Sequence, residues 1–236
     1  MSLSIVTYQL EPYVKAQADM PFSTEWLRTA VSRLIRRERG RLEESGVEIS
    51  LFYNHSGENE QFRIGYPLII YHYIDGVFYI TGINRGTDAL KMLASLFSES
   101  FEVSDVLFPG FRKVNSETIE VKVTNDVHRY SLVQWIPVHH KDVKVFRKMP
   151  LVEKAELMNR KLHAHLCHEL GKYLNLDIDS TTVNIIEITG AYRPIKYKNY
   201  EYPAFDIVFE GNINLPSGLT LGNNKTLGFG RIKPLS

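Results

Sequence analysis

The sequence predicts an α+β protein made of two ferredoxin-like (RRM-like) domains in tandem, the second abbreviated. Three observations predict it. Over the first half, strand-length apolar runs and two helical periods follow one another in the order β-α-β-β-α-β. A long helical period followed by further strands then repeats the start of that order. The chain has 236 residues, 44% hydrophobic and 23% charged, which suits one large or two small globular domains. No internal sequence repeat is visible, so a single irregular α+β domain stays open as the alternative.

Residues 2–10 read as a strand, with Leu3, Ile5 and Tyr8 among β-formers and Pro12 closing it. Pro21, Ser23 and Thr24 then precede a helical period. Leu27, Ala30, Val31, Leu34 and Ile35 recur at helix spacing, and Gly40 and Gly46 bracket its end. A strand is expected at about 47–54 (VEISLFYN), followed by a polar loop. YPLIIYHYIDGVFYITGIN reads as two strands around an Asp75-Gly76 turn. Thr87 or Asp88 caps a short helix through Phe97, with Leu90, Leu93, Ala94 and Phe97 on one face.

Further strands are expected at 118–124 and 130–138. The basic stretch HHKDVKVFRK ends at Pro150, which puts the domain boundary there: 1–148 and 149–236. Residues 152–174 carry the longest helical pattern. Strands follow at about 182–189 and 203–213, with TGAYRPIKYKNYEY as a loop or hairpin tip between them. The end is glycine-rich.

Net charge is +1, so no uniform field draws the chain to polyanions, and any basic site is local. The single cysteine, Cys167, permits no internal disulfide and fits a reducing compartment. The N-terminus lacks the basic-then-apolar pattern of a signal peptide, and no apolar run approaches the roughly 18 residues that span a bilayer. The expectation is a cytoplasmic protein with no membrane partner.

Charge clusters in three places. From Trp26 to Arg41 the chain holds Arg28, Arg33, Arg36, Arg37, Arg39 and Arg41 against the single acid Glu38. Arg33, Arg36 and Arg37 fall on the helix side away from the apolar stripe. Glu43, Glu44 and Glu48 are near enough to pair with them, so an anionic partner and a solvated face both stay open. Ala191–Tyr200 interleaves Arg193, Lys196 and Lys198 with Tyr192, Tyr197 and Tyr200, a composition suited to single-stranded nucleic acid. After Glu210 there is no acid, while Lys225, Arg231 and Lys233 are present.

Gly218, Gly222, Gly228 and Gly230 surround Asn223, Asn224 and Lys225 in that acid-free end. Glycines free the backbone for positive φ and let an anion reach main-chain N–H groups. The pattern is neither a Walker loop nor a dinucleotide fingerprint.

The run from Gly222 to Gly230, GNNKTLGFG, resembles the glycine-rich loop of the CRISPR-repeat-processing endoribonucleases in the repeat-associated mysterious protein superfamily. Thr220 stands where the first glycine of that loop is usual. YPLIIYHYIDGVFYITGINRG is similar to the first-domain hairpin of one bacterial branch, and TGAYRPIKYKNYEYPAFDIVFEGNINLP to its second-domain centre. The resemblance implies two ferredoxin-like domains and CRISPR repeat RNA, single-stranded or hairpin, as partner. It implies metal-independent cleavage that leaves a 2′,3′-cyclic phosphate and a 5′-hydroxyl, with no cofactor. It leaves open a catalytically inactive repeat-RNA-binding protein or a structural subunit of an effector complex. Other effector subunits and a homodimer are further partners it leaves open.

That reaction needs a base for the 2′-hydroxyl, an acid for the 5′-oxygen and a cation for the phosphate. His55 is the candidate for proton transfer. It opens a polar loop after an apolar run, flanked by Asn54 and Ser56, with Tyr53 and Arg63 nearby. Branches that this chain resembles carry a similar Asn-His pair, whereas others place the histidine near the end of the first helix, where this chain has none. For RNA contact the candidates are Arg33, Arg36, Arg37, Arg63, Lys196, Lys198, Gly222, Lys225, Gly228, Phe229, Gly230 and Arg231.

His72 reads as a packing residue in the hairpin, and His139 and His140 adjoin a basic stretch where they can meet phosphate. The run HAHLCHE invites a zinc reading, but His163 and His165 are about 200° apart around a helix and His168 is about 140° from His163. Zinc needs three or four converging ligands, so no metal is expected.

Overall fold

The computed structural model describes residues 2–13, 22–53, 55–56, 61–62, 65–189, 193–197 and 200–235. They form two compact units. One comprises Leu3–Thr118 together with Thr226–Gly228; the other comprises Ile119–Lys225 and Phe229–Ser236, with Met1–Ser2.

The first unit opens with β1 (Ser2–Leu10), α1 (Thr24–Arg37) and α2 (Arg39–Glu44). Ser23 caps α1, its hydroxyl accepting from the Trp26 N–H at 3.1 Å. A short 3-10 turn at Ile49–Phe52 leads to β2 (His55–Ser56), which pairs with β3 (Gln61–Phe62). Next come β4 (Ile69–Ile74), β5 (Val77–Ile83), α3 (Arg85–Leu96), the small hairpin β6 (Phe101–Val103) and β7 (Val106–Phe108), and β8 (Arg112–Glu120).

The sheet runs β4-β5-β1-β8. Numbering its four strands in chain order gives 2-3-1-4, the arrangement of a split βαβ fold. Leu27, Ala30, Val31, Leu34 and Ile35 of α1 and Ala89, Leu90, Leu93 and Ala94 of α3 are buried in one core with Tyr8, Leu10, Ile69, Tyr71, Phe78 and Ile80 of the sheet. The spacing of those helix residues is why each helix shows the sheet a single apolar stripe.

The second unit holds β9 (Val123–Trp135), α4 (Val143–Lys148), α5 (Leu151–His165), a π turn at Leu166–Lys172, β10 (Val183–Ile188), β11 (Arg193–Tyr197), β12 (Tyr200–Ile213) and β13 (Arg231–Leu235). Its sheet order, β10-β12-β9-β13, is the same arrangement, with β11 added beside β12. The second helix of the fold is missing. Residues 214–230 take its place as a loop with one 3-10 turn, Lys225–Leu227. The abbreviation expected from the sequence therefore falls on a helix, not on the strand set.

Neither Thr87 nor Asp88 caps α3, which already begins at Arg85 after Asn84. Four further local expectations change. Residues 47–54 do not form a strand; the buried Leu51 and Phe52 belong to the 3-10 turn, which packs the same apolar atoms while turning the chain. The long helix stays α-helical only to His165 and continues through the π turn. The strands expected at 118–124 and 130–138 are β8 and β9, shifted toward the N-terminus. β8 is exposed along most of its length, so its sequence RKVNSETIE gave no hydropathic signal.

The fourth change concerns the boundary. The chain divides at Thr118 and Ile119 and not at Pro150. β9 belongs to the second unit because its partners are β12 and β13. Those partners lie so far along the chain that local pattern could not reveal them.

Leu34 is 1% exposed at the centre of the α1 stripe. Leu34→Ala is expected to lower the unfolding free energy by about 2–5 kcal/mol in a denaturant titration. Ser23→Ala, which removes only the cap, is expected to cost about 1 kcal/mol.

Candidate nucleic-acid interface

In the first unit the arginine face of α1 serves two neighbours. Arg33 donates from Nη1 to the Ser104 hydroxyl at 3.0 Å, and Arg37 donates from Nη1 to the Glu102 carbonyl at 3.0 Å. Both therefore hold the β6–β7 hairpin, and Arg37 also meets Glu38 at 3.0 Å. The Arg36 charge is near enough to the Tyr53 phenol to pull its pKa down against the effect of burial. Arg39 is spent on Glu43 at 2.9 Å. Arg33, Arg36 and Arg37 are exposed, as the helical spacing predicts.

Tyr53 precedes His55 by two residues, and two hydroxyls fix the backbone there. Tyr53 donates to the Ser32 carbonyl on α1 at 3.4 Å, and Tyr71 on β4 donates to the Phe52 carbonyl at 3.3 Å. Burial pushes both phenols above their ordinary pKa, and nearby cations (Arg36 for Tyr53, Arg28 for Tyr71) pull them partly back. Both stay protonated donors at neutral pH. The His55 backbone pairs with Phe62 in the β2–β3 hairpin. Arg63 and Lys198 lie outside the described residues, as does the side chain of His55.

The glycine-rich loop contributes Thr226–Gly228 to the first unit. Gly228 has φ +75° and lies over β4, where a Cβ would come within 2.6 Å of the Tyr71 carbonyl and would also strike the His72 ring. Only glycine fits there. His72 is 5% exposed, consistent with its reading as a packing residue.

In the second unit the rest of the loop is held by a buried carboxylate. Glu169 sits on the π turn and is 7% exposed. Its Oε2 accepts the Gly222 N–H at 3.0 Å, and its Oε1 accepts the Lys225 Nζ at 2.9 Å. Burial raises the Glu169 pKa, while the Lys225 charge, the Lys225 hydrogen bond and the Gly222 N–H lower it. Beside it the Asn223 N–H and side-chain amide both donate to the Ile136 carbonyl at 3.2 Å. Gly222, at φ +93°, would place a Cβ 2.8 Å from that carbonyl and from the Trp135 ring.

Lys225 is thus pinned, its side chain 18% exposed, and is not a solvated arm. Phe229 packs on Ile136, Tyr202 and Ala204. Arg231 opens β13, opposite Val133, and Lys196 is exposed on β11.

Sequence reasoning missed Glu169, Trp135 and His165 as parts of this arrangement. The signal was faint: Glu169 lay within the HAHLCHE run, and nothing local says that its partner is Lys225. The run does not converge on one point. His165 Nδ1 accepts from Trp135 Nε1 at 3.2 Å, His163 meets the Thr181 carbonyl at 3.1 Å, and His168 packs edge-on against Tyr173. Among the described residues no three His, Cys, Asp or Glu side chains are grouped to hold a metal ion.

Two family models match the chain, the Cas6b N-terminal domain over residues 22–110 and the Cas6b C-terminal domain over 122–235. The chain belongs to the Cas6b family of CRISPR repeat-processing endoribonucleases. Among solved structures, one titled as the crystal structure of Cas6b aligns at 19% identity and TM-score 0.78, covering all of both chains. A second, titled CRISPR RNA processing endoribonuclease Cas6b, aligns at 20% identity and TM-score 0.68, again over all of both chains. A protein from a Cas6-related gene of Pyrococcus furiosus aligns at 17% identity and TM-score 0.52, covering 100% of this chain and 99% of that one. At these identities the likenesses establish the fold. No curated protein matches the sequence. Among the described residues, no helix of this Cas6b chain is long and apolar enough to cross a membrane.

Two predictions follow from the buried cluster. Lys225→Met leaves the Glu169 carboxylate buried without its cation and is expected to destabilise the chain by about 3–5 kcal/mol, with part of the loss recovered in the Glu169→Gln, Lys225→Met double variant. The second concerns pH. Burial of the His165 ring, with the Lys225 charge close by, lowers its pKa to about 3 from 6.5. The folded pKa lies below the unfolded one, so the unfolded chain binds the proton first as pH falls. The His165 contribution is complete above about pH 6.5 and is lost as pH falls toward 3. His165→Phe is expected to flatten the slope of unfolding free energy against pH across that window.

Proposed function

We propose that this protein is a CRISPR repeat RNA-processing endoribonuclease that cleaves by internal transesterification. The observation that carries the reading is that Tyr53, two residues before His55 in sequence, is tied by its hydroxyl to Ser32 on α1, the helix that exposes Arg33, Arg36 and Arg37. A pentavalent phosphate requires a proton-transfer residue and a cation, and this segment joins the candidate His55 in sequence to the arginine face of α1.

In the step, the 2′-oxygen forms a bond to phosphorus and the bond from phosphorus to the 5′-oxygen breaks. The 2′-hydroxyl proton goes to a base and the leaving oxygen receives a proton from an acid, giving a 2′,3′-cyclic phosphate and a 5′-hydroxyl. His55 serves in one of these transfers, since imidazole changes charge near neutral pH. The nucleophile is already tethered to its electrophile, so the step needs no metal.

Arg33, Arg36, Arg37, Arg63, Lys196, Lys198 and Arg231 meet phosphates. In the glycine-rich loop, Gly222, Gly228 and Gly230 serve RNA binding through the close packing that sets the loop's shape, their missing Cβ leaving room for Ile136, Tyr71 and Leu221, while Phe229 is held on Ile136, Tyr202 and Ala204. Lys225 acts there through the loop conformation that its ion pair with Glu169 holds. One of the two Cas6b structures is named a CRISPR RNA processing endoribonuclease, and the family relation brings repeat RNA to this chain as substrate.

A reading as a repeat-RNA binder without cleavage draws on one observation: no histidine lies in α1 or α2, between Thr24 and Glu44. Labelled repeat RNA incubated with the protein in EDTA separates the two readings. Cleavage to a cyclic phosphate supports the first, and a shifted, intact RNA supports the second.

His55→Ala is expected to lower single-turnover cleavage about 10²–10⁴-fold while leaving RNA affinity near the parent value. Parent-rate cleavage by that variant removes His55 from the mechanism. Affinity is expected to fall linearly in log–log terms with salt, and Arg36→Ala to reduce the slope by about 0.7 if its contact is to a single-stranded phosphate.

A further inference from the structure

The second unit carries a ladder of aromatic rings that core packing does not account for. His139 and His140 precede α4, and their ring centroids are 3.9 Å apart. The His140 ring lies 4.1 Å from Tyr200, the first residue of β12, at an interplanar angle of 33°. Tyr202, 6.4 Å from both His140 and Tyr200, is buried with Ile136 and Ala204 and anchors the ladder from below. The upper rings face solvent: Tyr200 is 48% exposed and His139 is also exposed. A half-exposed tyrosine resting at a tilt against an imidazole buries too little area to explain its place in the fold.

The surroundings are cationic. Lys141, Lys144 and Lys148 are exposed beside the histidines, against Asp142. Glu201, next to Tyr200, is neutralised by an ion pair with Arg147. Lys196 lies opposite Glu201 in the β11–β12 ladder and is exposed. The rings are tilted to one another by 45° and 33°, and the exposed His139 and Tyr200 offer aromatic surface to one more flat heterocycle, while exposed lysines around them offer its backbone a counter-charge.

We propose that Tyr200, His140 and His139 form a stacking platform for an unpaired base of the bound RNA, with Lys141 and Lys196 flanking its phosphates. This rests on the RNA-binding reading above and deepens it. It places a base-recognition subsite on the second unit, outside the loop and outside the residues assigned to cleavage. Recognition here is by stacking, so it tolerates any base but requires that base to be unpaired.

The test uses the full chain and repeat RNAs carrying 2-aminopurine at one unpaired position at a time, with affinity measured by anisotropy across a salt series. Wild-type protein is expected to change the 2-aminopurine fluorescence at one position. Tyr200→Ala is expected to abolish that change and weaken binding about 5- to 150-fold with the salt slope unchanged, because a stack and no phosphate contact is lost. Tyr200→Phe is expected to restore both signals, which also controls for folding, and His140→Ala to lose part of the affinity.

Wild-type binding with unchanged affinity and fluorescence in Tyr200→Ala overturns the platform and leaves the RNA reading standing. Loss in Tyr200→Ala that Tyr200→Phe does not restore assigns the effect to the hydroxyl and also overturns it. A wild-type chain that binds no repeat RNA overturns both.

Discussion

A carboxylate taken out of water sets the terms for the second unit. Glu169 would be costly at 7% exposure if it stood alone. It is tolerable because a lysine ammonium and a main-chain N–H meet its two oxygens from one loop. The cost and its compensation lie on different elements, the π turn and the glycine-rich segment. Neither is comfortable without the other. A loop with several glycines has many conformations open to it, and this pairing selects one.

The π turn makes the geometry available. An added residue in a helical turn shifts the side chains that follow it by roughly one position around the axis. Here it separates the last α-helical residues from Glu169, whose carboxylate reaches the loop while His165 is left against Trp135. The indole N–H needs an acceptor, and only the neutral imidazole supplies one. Carboxylate, ammonium, imidazole and indole form one connected arrangement in which each polar atom named has a partner.

Much of the fold could be read from residues alone, and the reasons are local. The α1 stripe from Leu27 to Ile35 has one period, and the turn at Asp75-Gly76 has one geometry, with φ of 50° and 84° at its two residues. What escaped depends on distant partners. β8 is polar because it lies exposed, and β9 was assigned to the wrong side of the boundary because β12 and β13 follow it so late. At the site, the arginines of α1 were legible as a basic face, but not their division between the β6–β7 hairpin and Tyr53. Lys225 looked like a free cation because nothing near it in sequence is acidic; its acid is Glu169, on another element. The ring ladder was half visible, as tyrosines among lysines, but its histidines come from a separate segment.

The late arrival of β13 has a consequence for synthesis. Val123 pairs with Ile213 and Arg129 with Leu235, so the central strand of the second unit waits for partners that follow it far along the sequence. The first unit's sheet strands are all made by Glu120, and only the Thr226–Gly228 segment, which is no part of the sheet, joins that unit later. During translation one half has its sheet complete while the other still shows an unpaired edge, the kind of surface that chaperones cover and proteases find. A nascent chain cut short before Arg231 lacks the strand that closes that sheet.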